Sequence, residues 1–149
     1  MNSPSMLQAK GCTPIAPAFI WPIRVYWEDT DAGGVVYHAS YLRFLERART
    51  EWLRALGYGQ DALRECEGVL FVVRAMRLDF LKSARLDDEL VVTVALAGRK
   101  RASFVMQQTI LHGDRLLLDA EVKVACVAAA NFRPCALPET VCAAMTEPE

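Results

Sequence analysis

The chain has 149 residues, of which 53% are hydrophobic, and its formal net charge at pH 7 is −1. This length favours one domain with its own core, and part of the apolar excess is expected to lie between subunits. The near-neutral charge excludes a general attraction to nucleic acid or to an anionic membrane.

The N-terminal region does not have the pattern of a signal peptide or a transmembrane helix, because Pro14, Pro17 and Pro22 interrupt its apolar run. We therefore expect residues 1–20 to form a flexible extension without a membrane span. Residues 21–149 are expected to form a single domain.

The five cysteines are odd in number and lack a C-x-x-C spacing. Neither a zinc site nor a disulfide framework is expected, and a reducing cytoplasm is the predicted location. Cys126 lies in an apolar strand pattern and is interpreted as a small core residue. Two distant histidines cannot form a His-rich metal site, so no metal is predicted.

The first half of the chain predicts a strand followed by one long helix. The strand is expected at Ile23–Glu28 and the helix at Ala39–Leu56, where apolar residues recur at helical spacing. Ser40 is placed to cap the start of the helix and Gly57 to end it. Residues 60–67 are expected to add a short helical turn.

After residue 68 the apolar period changes to two, which is typical of strands. Four strands are expected near residues 76–80, 90–96, 104–110 and 118–126, as a meander with hairpins at residues 98–101 and 112–114. The helix must then bury its apolar stripe on one face of an antiparallel sheet, which is an α+β layer. The tail from about residue 131 contains three prolines and is expected to pack loosely over an edge.

The stretch before the helix contains several groups that can take part in a reaction. Tyr26–Tyr41 holds three carboxylates, two glycines and one of only two histidines. A carboxylate beside a free helix N-terminus can attack or deprotonate while backbone N–H groups hold a developing oxyanion. This pattern indicates acyl-transfer chemistry.

Glu28–Tyr41 reads EDTDAGGVVYHASY, and Phe44–Glu51 reads FLERARTE. Together they resemble the hotdog-fold acyl-CoA thioesterases of the 4-hydroxybenzoyl-CoA thioesterase family. The likeness is greatest to the YbgC-type branch, which is associated with the Tol–Pal system. It extends over about three-quarters of the chain, and Arg133-Pro134 and Leu137–Glu139 in the tail also look like that branch.

The resemblance implies a hotdog fold, in which one long helix is wrapped by an antiparallel five-stranded sheet. Two protomers would form a continuous sheet, with active sites at the interface of a homodimer or a homotetramer. The implied reaction is hydrolysis of an acyl-CoA thioester to a carboxylic acid and CoA, without a cofactor. An acyl carrier protein is a further partner that it allows.

The resemblance also assigns roles to residues of this loop. Asp31 would be the nucleophile or general base, an alternative that the sequence leaves open. The His38 N–H would polarise the thioester carbonyl, and its imidazole would act as a general acid or orient water. Gly33 and Gly34 would allow positive φ and a close approach of the ligand.

Three further observations concern the surroundings of Asp31. Glu28 is interpreted as solvated and Asp29 as stabilising the loop. Many relatives have a tyrosine where this chain has Trp27, and Tyr26 should point to the other strand face, so a phenol near the site is expected to be missing.

The hairpin Arg99-Lys100-Arg101 is interpreted as a site for the CoA phosphates, with an ordinary solvated turn as the alternative. Two other functions stay open on the same fold. One is a hydratase or dehydratase of hydroxyacyl thioesters. The other is a non-catalytic or slow module that binds acyl-CoA or an acyl carrier protein beside envelope machinery.

Overall fold

The computed structural model describes residues 18–145. Most of the expected flexible extension, residues 1–17, lies outside the described residues, as does Cys12. The last two residues of that predicted extension, Phe19 and Ile20, belong instead to the first strand.

The structure contains five strands and three helices within the described residues. In chain order, the elements are β1 (Phe19–Arg24), α1 (His38–Ala55), α2 (Gln60–Ala62), β2 (Val69–Phe80), β3 (Glu89–Arg99), β4 (Ser103–His112), β5 (Arg115–Ala128) and α3 (Glu139–Met145). A 3₁₀ turn at Trp27–Asp29 follows β1, and a π-helical turn at Leu63–Glu67 extends α2.

The strands form one antiparallel sheet in the order β1-β3-β4-β5-β2. The predicted hotdog architecture, an α+β fold with five antiparallel strands, is confirmed. The expected four-stranded meander is wrong at its first step, because β2 pairs with β5 and not with β3. The connection after β2 crosses the end of the sheet, where the Leu81 N–H donates to the Leu117 carbonyl. Strands β1 and β2 are therefore the two edges.

The first strand lies earlier than predicted. It runs from Phe19 to Arg24, paired with β3 until Arg24 stands opposite Glu89. Because β3 begins at Glu89, β1 has no partner strand beyond that point, and the chain turns at Trp27–Asp29. Of the strand predicted at Ile23–Glu28, only Ile23 and Arg24 lie in β1, while Trp27 and Glu28 belong to the turn.

Helix α1 buries the predicted apolar stripe against the sheet. Phe44, Leu45 and Ala48 are fully buried, and each large apolar side chain of this kind stabilises the fold by roughly 1.5–3 kcal/mol. The helix begins at His38 with Tyr37 as its N-cap, one residue earlier than predicted. Ser40 is therefore not the cap; it is buried in the first turn, where its Oγ accepts a hydrogen bond from Arg43.

The ends of the helix and of one hairpin follow the sequence prediction. Gly57 comes directly after the C-cap of α1 and has a φ of 98°, the left-handed conformation that ends many helices. Gly113 and Asp114 form the two-residue loop between β4 and β5, with the φ of Gly113 at 62°.

The tail packs more firmly than expected. Leu137, Val141 and Met145 are buried in the main core, because the tail and α3 pack these apolar side chains against the rest of the domain. Beneath it, burial raises the pKa of the Cys126 thiol to about 12, so Cys126 is a neutral, small core side chain. The four described cysteines are free thiols.

Candidate active site

The loop between β1 and α1 folds into a compact turn around Asp31. The Asp31 N–H donates to the Val35 carbonyl, and the Gly34 N–H donates to the Asp31 carbonyl, each at 3.0 Å. Gly34 has a φ of 78°, which glycine adopts at little cost. A bridge between Thr30 and Val36 closes the turn.

The carboxylate of Asp31 is exposed and held by its own loop. Its Oδ1 accepts a hydrogen bond of 2.8 Å from the Gly33 N–H, the arrangement of an Asx-turn. A Cβ atom at position 33 would lie 3.1 Å from this oxygen, so only glycine fits here without a shift. Among residues 18–145, no group donates a hydrogen bond to Oδ2, and Asp31 lines a cavity together with Trp27 and Leu86.

Asp29 has a different role from Asp31. It is buried, its Oδ2 accepts the Tyr26 N–H at 2.8 Å, and its carbonyl accepts the Tyr37 N–H at 2.8 Å. It therefore ties both ends of the loop together, in agreement with the interpretation as a stabilising residue. Glu28 is exposed.

His38 is the first residue of α1, so its N–H is among the helix-terminal donors that lack an intrahelical acceptor. Its imidazole lies 4.5 Å from the ring of Tyr37 and 6.4 Å from that of Phe80, measured between centroids. It lines a small cavity next to Tyr41 and Ser83. Within one chain, Asp31 and His38 thus line two different cavities, which contain different residues of the 81–88 loop.

The aromatic side chains near the loop differ from the sequence expectation in two respects. Trp27 is 79% exposed, and since it lies in a turn, the argument from alternating strand faces does not apply to Tyr26. A phenol is present near the site from another position. Tyr41 lines the His38 cavity, and its oxygen accepts the Ala84 N–H at 3.0 Å.

Burial raises the pKa of Tyr41, which keeps its phenol protonated. The sequence signal for Tyr41 was its place in the apolar stripe of the helix, which indicates core packing. Nothing in that pattern distinguishes a core tyrosine from one that also borders a cavity.

The basic hairpin lies at the other end of the sheet from Asp31. Asp31 is close to Leu86, before β3 begins, and Arg99 is the last residue of β3. Ten residues of strand at about 3.3 Å each separate the two ends by roughly 30 Å. In addition, Arg99 Nη1 donates to the Cys142 carbonyl of α3 at 2.6 Å. One chain alone does not bring Arg99, Lys100 and Arg101 to Asp31.

Neither a metal-binding cluster nor a membrane-crossing helix occurs among the described residues. Residues 18–145 contain no group of three or more His, Cys, Asp or Glu side chains placed to hold a metal ion. In the same range, no helix is both long enough and apolar enough to cross a membrane.

A five-stranded antiparallel sheet around one long helix, with a carboxylate loop at the helix entry, defines a protein of the hotdog class. Residues 25–145 match the family model of the thioesterase-like superfamily, and the chain belongs to that family. The resemblance inferred from the loop and helix motifs is thereby confirmed.

Relatives of known name cover most of the chain. The acyl-CoA thioesterase YbgC of Haemophilus influenzae is 47% identical over 126 residues, which are 85% of this chain and 93% of the relative. The acyl-CoA thioester hydrolase YbgC of Shigella flexneri is 49% identical over 126 residues, 84% of this chain and 93% of the relative. The crystal structure of a probable thioesterase from Bartonella henselae has a TM-score of 0.79 and 39% identity, covering 82% of this chain and all of that one.

Proposed function

We propose that this protein is an acyl-CoA thioesterase, which hydrolyses R–CO–S–CoA to a carboxylic acid and CoA, and that Asp31 is its nucleophile or general base. The observation that carries the proposal is the exposed Asp31 carboxylate, held by the Gly33 N–H in the loop that leads into α1. Relatives with 47–49% identity carry the names acyl-CoA thioesterase and acyl-CoA thioester hydrolase, which supports the same reaction.

The free Oδ2 of Asp31 can act by either of two mechanisms. It attacks the thioester carbonyl carbon, the C–S bond breaks with CoA thiolate as the leaving group, and water hydrolyses the resulting mixed anhydride. Alternatively, it takes a proton from a water molecule that attacks the same carbon, and the C–S bond again breaks with CoA thiolate as the leaving group. In both routes the carbonyl oxygen becomes negative, and the His38 N–H at the start of α1 would stabilise it.

We further propose that two copies pair through β2. This strand is a sheet edge of 12 residues, and its Val73 and Phe80 side chains are 47% and 50% exposed. A long apolar edge is rarely left uncovered. Pairing two copies about a two-fold axis would join the two sheets into one.

This pairing would also account for the distant basic hairpin. In an antiparallel β2 pair, the Val69 half of one copy lies beside the Phe80 half of the other. Phe80 is the neighbour of His38, whereas Phe104 near the hairpin contacts Phe71 in the other half of β2. The hairpin of one copy would therefore approach the Asp31–His38 region of the second, as CoA binding at an interface requires.

Release of free thiol from a panel of aliphatic and aromatic acyl-CoAs tests the proposed reaction. Purified protein is expected to release CoA from at least one of them. Hydration of crotonyl-CoA without thiol release would instead indicate a hydratase. Binding of acyl-CoA with no turnover would indicate a binding module.

A further inference from the structure

A second cavity, of about 340 Å³, lies between the C-terminal half of α1 and the edge strand β2. Most of its wall is apolar and aromatic, with Trp52 from the helix, Phe71 from β2, and Phe104 and Met106 from β4. Two charged side chains of the helix, Arg49 and Glu46, border the same space. In a single chain this cavity shares no residue with those of Asp31 and His38.

The buried side-chain amide of Gln108 holds the guanidinium of Arg49 in place. Arg49 Nη1 donates to Gln108 Oε1 at 2.9 Å, and Gln108 Nε2 donates to the Leu45 carbonyl at 3.1 Å. Gln108 is fully buried and makes both bonds across the interface between helix and sheet. Its amide orientation is therefore set by the helix backbone, and the position of Arg49 follows from it.

This hydrogen bond gives Arg49 a neutral partner, and Glu46, the carboxylate in the same cavity wall, forms no ion pair with it. Within residues 18–145, no carboxylate oxygen lies within 4 Å of its guanidinium nitrogens. Burial lowers the pKa of Arg49, while the more distant Glu46 acts in the opposite direction. Since arginine stays protonated in proteins, the side chain is a partly desolvated cation with donors left for the cavity.

We propose that Arg49 is a specificity-determining residue that binds a carboxylate at the far end of the acyl group. The preferred substrates would then be acyl-CoAs whose acyl chain carries a second, distal carboxyl group. This inference rests on the proposed thioesterase function and on the β2 pair. The aromatic walls would enclose the methylene chain, and the guanidinium would meet its charged end.

The paired arrangement places this cavity where an acyl chain needs it. The cavity includes Val72 and Val73 from the first half of β2, which would lie beside the Phe80 end of the second copy. His38 and the Asp31 loop of that copy are at the same end. The reacting carbon would thus sit at one subunit and the distal carboxylate in the cavity of the other.

The chemistry favours a carboxylate over a neutral group. Arginine and carboxylate form charge-assisted hydrogen bonds that are about twice as strong as neutral ones. A methyl group, in contrast, offers neither a charge nor a hydrogen-bond acceptor to a cation that lies in an apolar wall. A plain alkyl chain in this cavity would leave the Arg49 guanidinium without water and without a carboxylate within 4 Å.

The test compares substrates of equal chain length, adipoyl-CoA against hexanoyl-CoA, in the wild-type protein and in three variants. The wild type is expected to have a kcat/KM at least ~10-fold higher for adipoyl-CoA, and Arg49→Gln should reverse this preference. Gln108→Glu supplies an internal carboxylate to Arg49 and should also remove the preference. Arg47→Gln changes an exposed arginine of the same helix and should leave the ratio unchanged.

The outcomes separate this inference from the proposed function. Hydrolysis of hexanoyl-CoA with no preference for adipoyl-CoA overturns the role of Arg49 but leaves the thioesterase standing. Thiol release from no acyl-CoA at all overturns both. Equal losses on both substrates in Arg49→Gln, or a change of its elution volume in size-exclusion chromatography, would assign Arg49 to packing or to the contact between copies, and would also overturn the inference.

Discussion

The carboxylate of Asp31 is held by the backbone two residues further along the same loop, where the Gly33 N–H donates to Oδ1 at 2.8 Å. One oxygen is thereby fixed and the other is left for chemistry. The contact is between adjacent parts of one turn, so the carboxylate keeps its direction without help from a distant side chain.

Replacing Asp31 by asparagine removes the charge and keeps this contact, because the amide oxygen can still accept the Gly33 N–H. We expect Asp31→Asn to lose at least ~100-fold in the rate of thiol release and to keep its thermal stability. Glu28→Gln, an exposed carboxylate three residues earlier, is the matched control and should retain activity. Near wild-type turnover in Asp31→Asn would contradict the mechanism.

Gly33 and Gly34 should respond differently to alanine. At position 33 the new Cβ would lie 3.1 Å from Asp31 Oδ1, so the carboxylate must move, and kcat should fall by ~10-fold or more with little change in stability. At position 34 there is space, but the φ of 78° is strained for alanine. Gly34→Ala should therefore lower the free energy of unfolding by about 1–2 kcal/mol.

Thiol-release kinetics and thermal unfolding of the same two preparations check this pair. Equal effects of both substitutions on kcat and on the melting temperature would show that the close approach at Gly33 has no catalytic meaning.

His38→Ala separates the side chain from the backbone. The N–H at the start of α1 survives the substitution, so a role as oxyanion donor alone keeps activity within about tenfold of wild type. A proton-transfer role predicts a loss of ~100-fold or more and a flatter pH–rate profile, and we expect this larger loss. Nearly full activity with an unchanged pH profile would remove the imidazole from the mechanism.

The sequence was sufficient for the fold class and for the loop, because both depend on local patterns. The helix stripe, the change to period two and the Gly57 stop are each determined by neighbouring residues. The pairing of β2 with β5 was missed, since strand order depends on long-range packing that periodicity does not record. The helix start was displaced because Tyr37, which makes no side-chain cap hydrogen bond, takes the N-cap position.

The residues of the candidate site could be predicted from the sequence, but their arrangement in space could not. Asp31, Gly33 and His38 follow from one motif, whereas the separation of the basic hairpin from Asp31 requires the length and direction of β3. The Arg49–Gln108 contact joins residues 59 positions apart, and the helical pattern alone places Arg49 at the border of the buried stripe without a partner.

The three basic residues of the hairpin should not behave alike. Arg99 donates to the Cys142 carbonyl of α3, so Arg99→Ala is expected to lower the melting temperature. Lys100 and Arg101 are exposed and make no side-chain hydrogen bond within residues 18–145, so the double alanine variant should raise KM for acyl-CoA and spare kcat. A small thioester without the nucleotide should be insensitive to the double change, and equal losses on both substrates would exclude phosphate binding here.

The β2 edge provides the test of the pairing itself. Val73 is half-exposed near the middle of β2, and an aspartate there would place two charges close to the two-fold axis, where they repel each other and lose water. Val73→Asp is expected to shift the protein to a monomer by light scattering and to lose most of its thiol release, because the two halves of each site separate. Ile20 is a comparably exposed residue on β1, the opposite edge of the sheet, so Ile20→Asp is the matched control and should keep both the assembly and the activity. A monomeric Val73→Asp with full activity would show that one chain suffices for catalysis, and an unchanged assembly in that variant would place the contact between copies elsewhere.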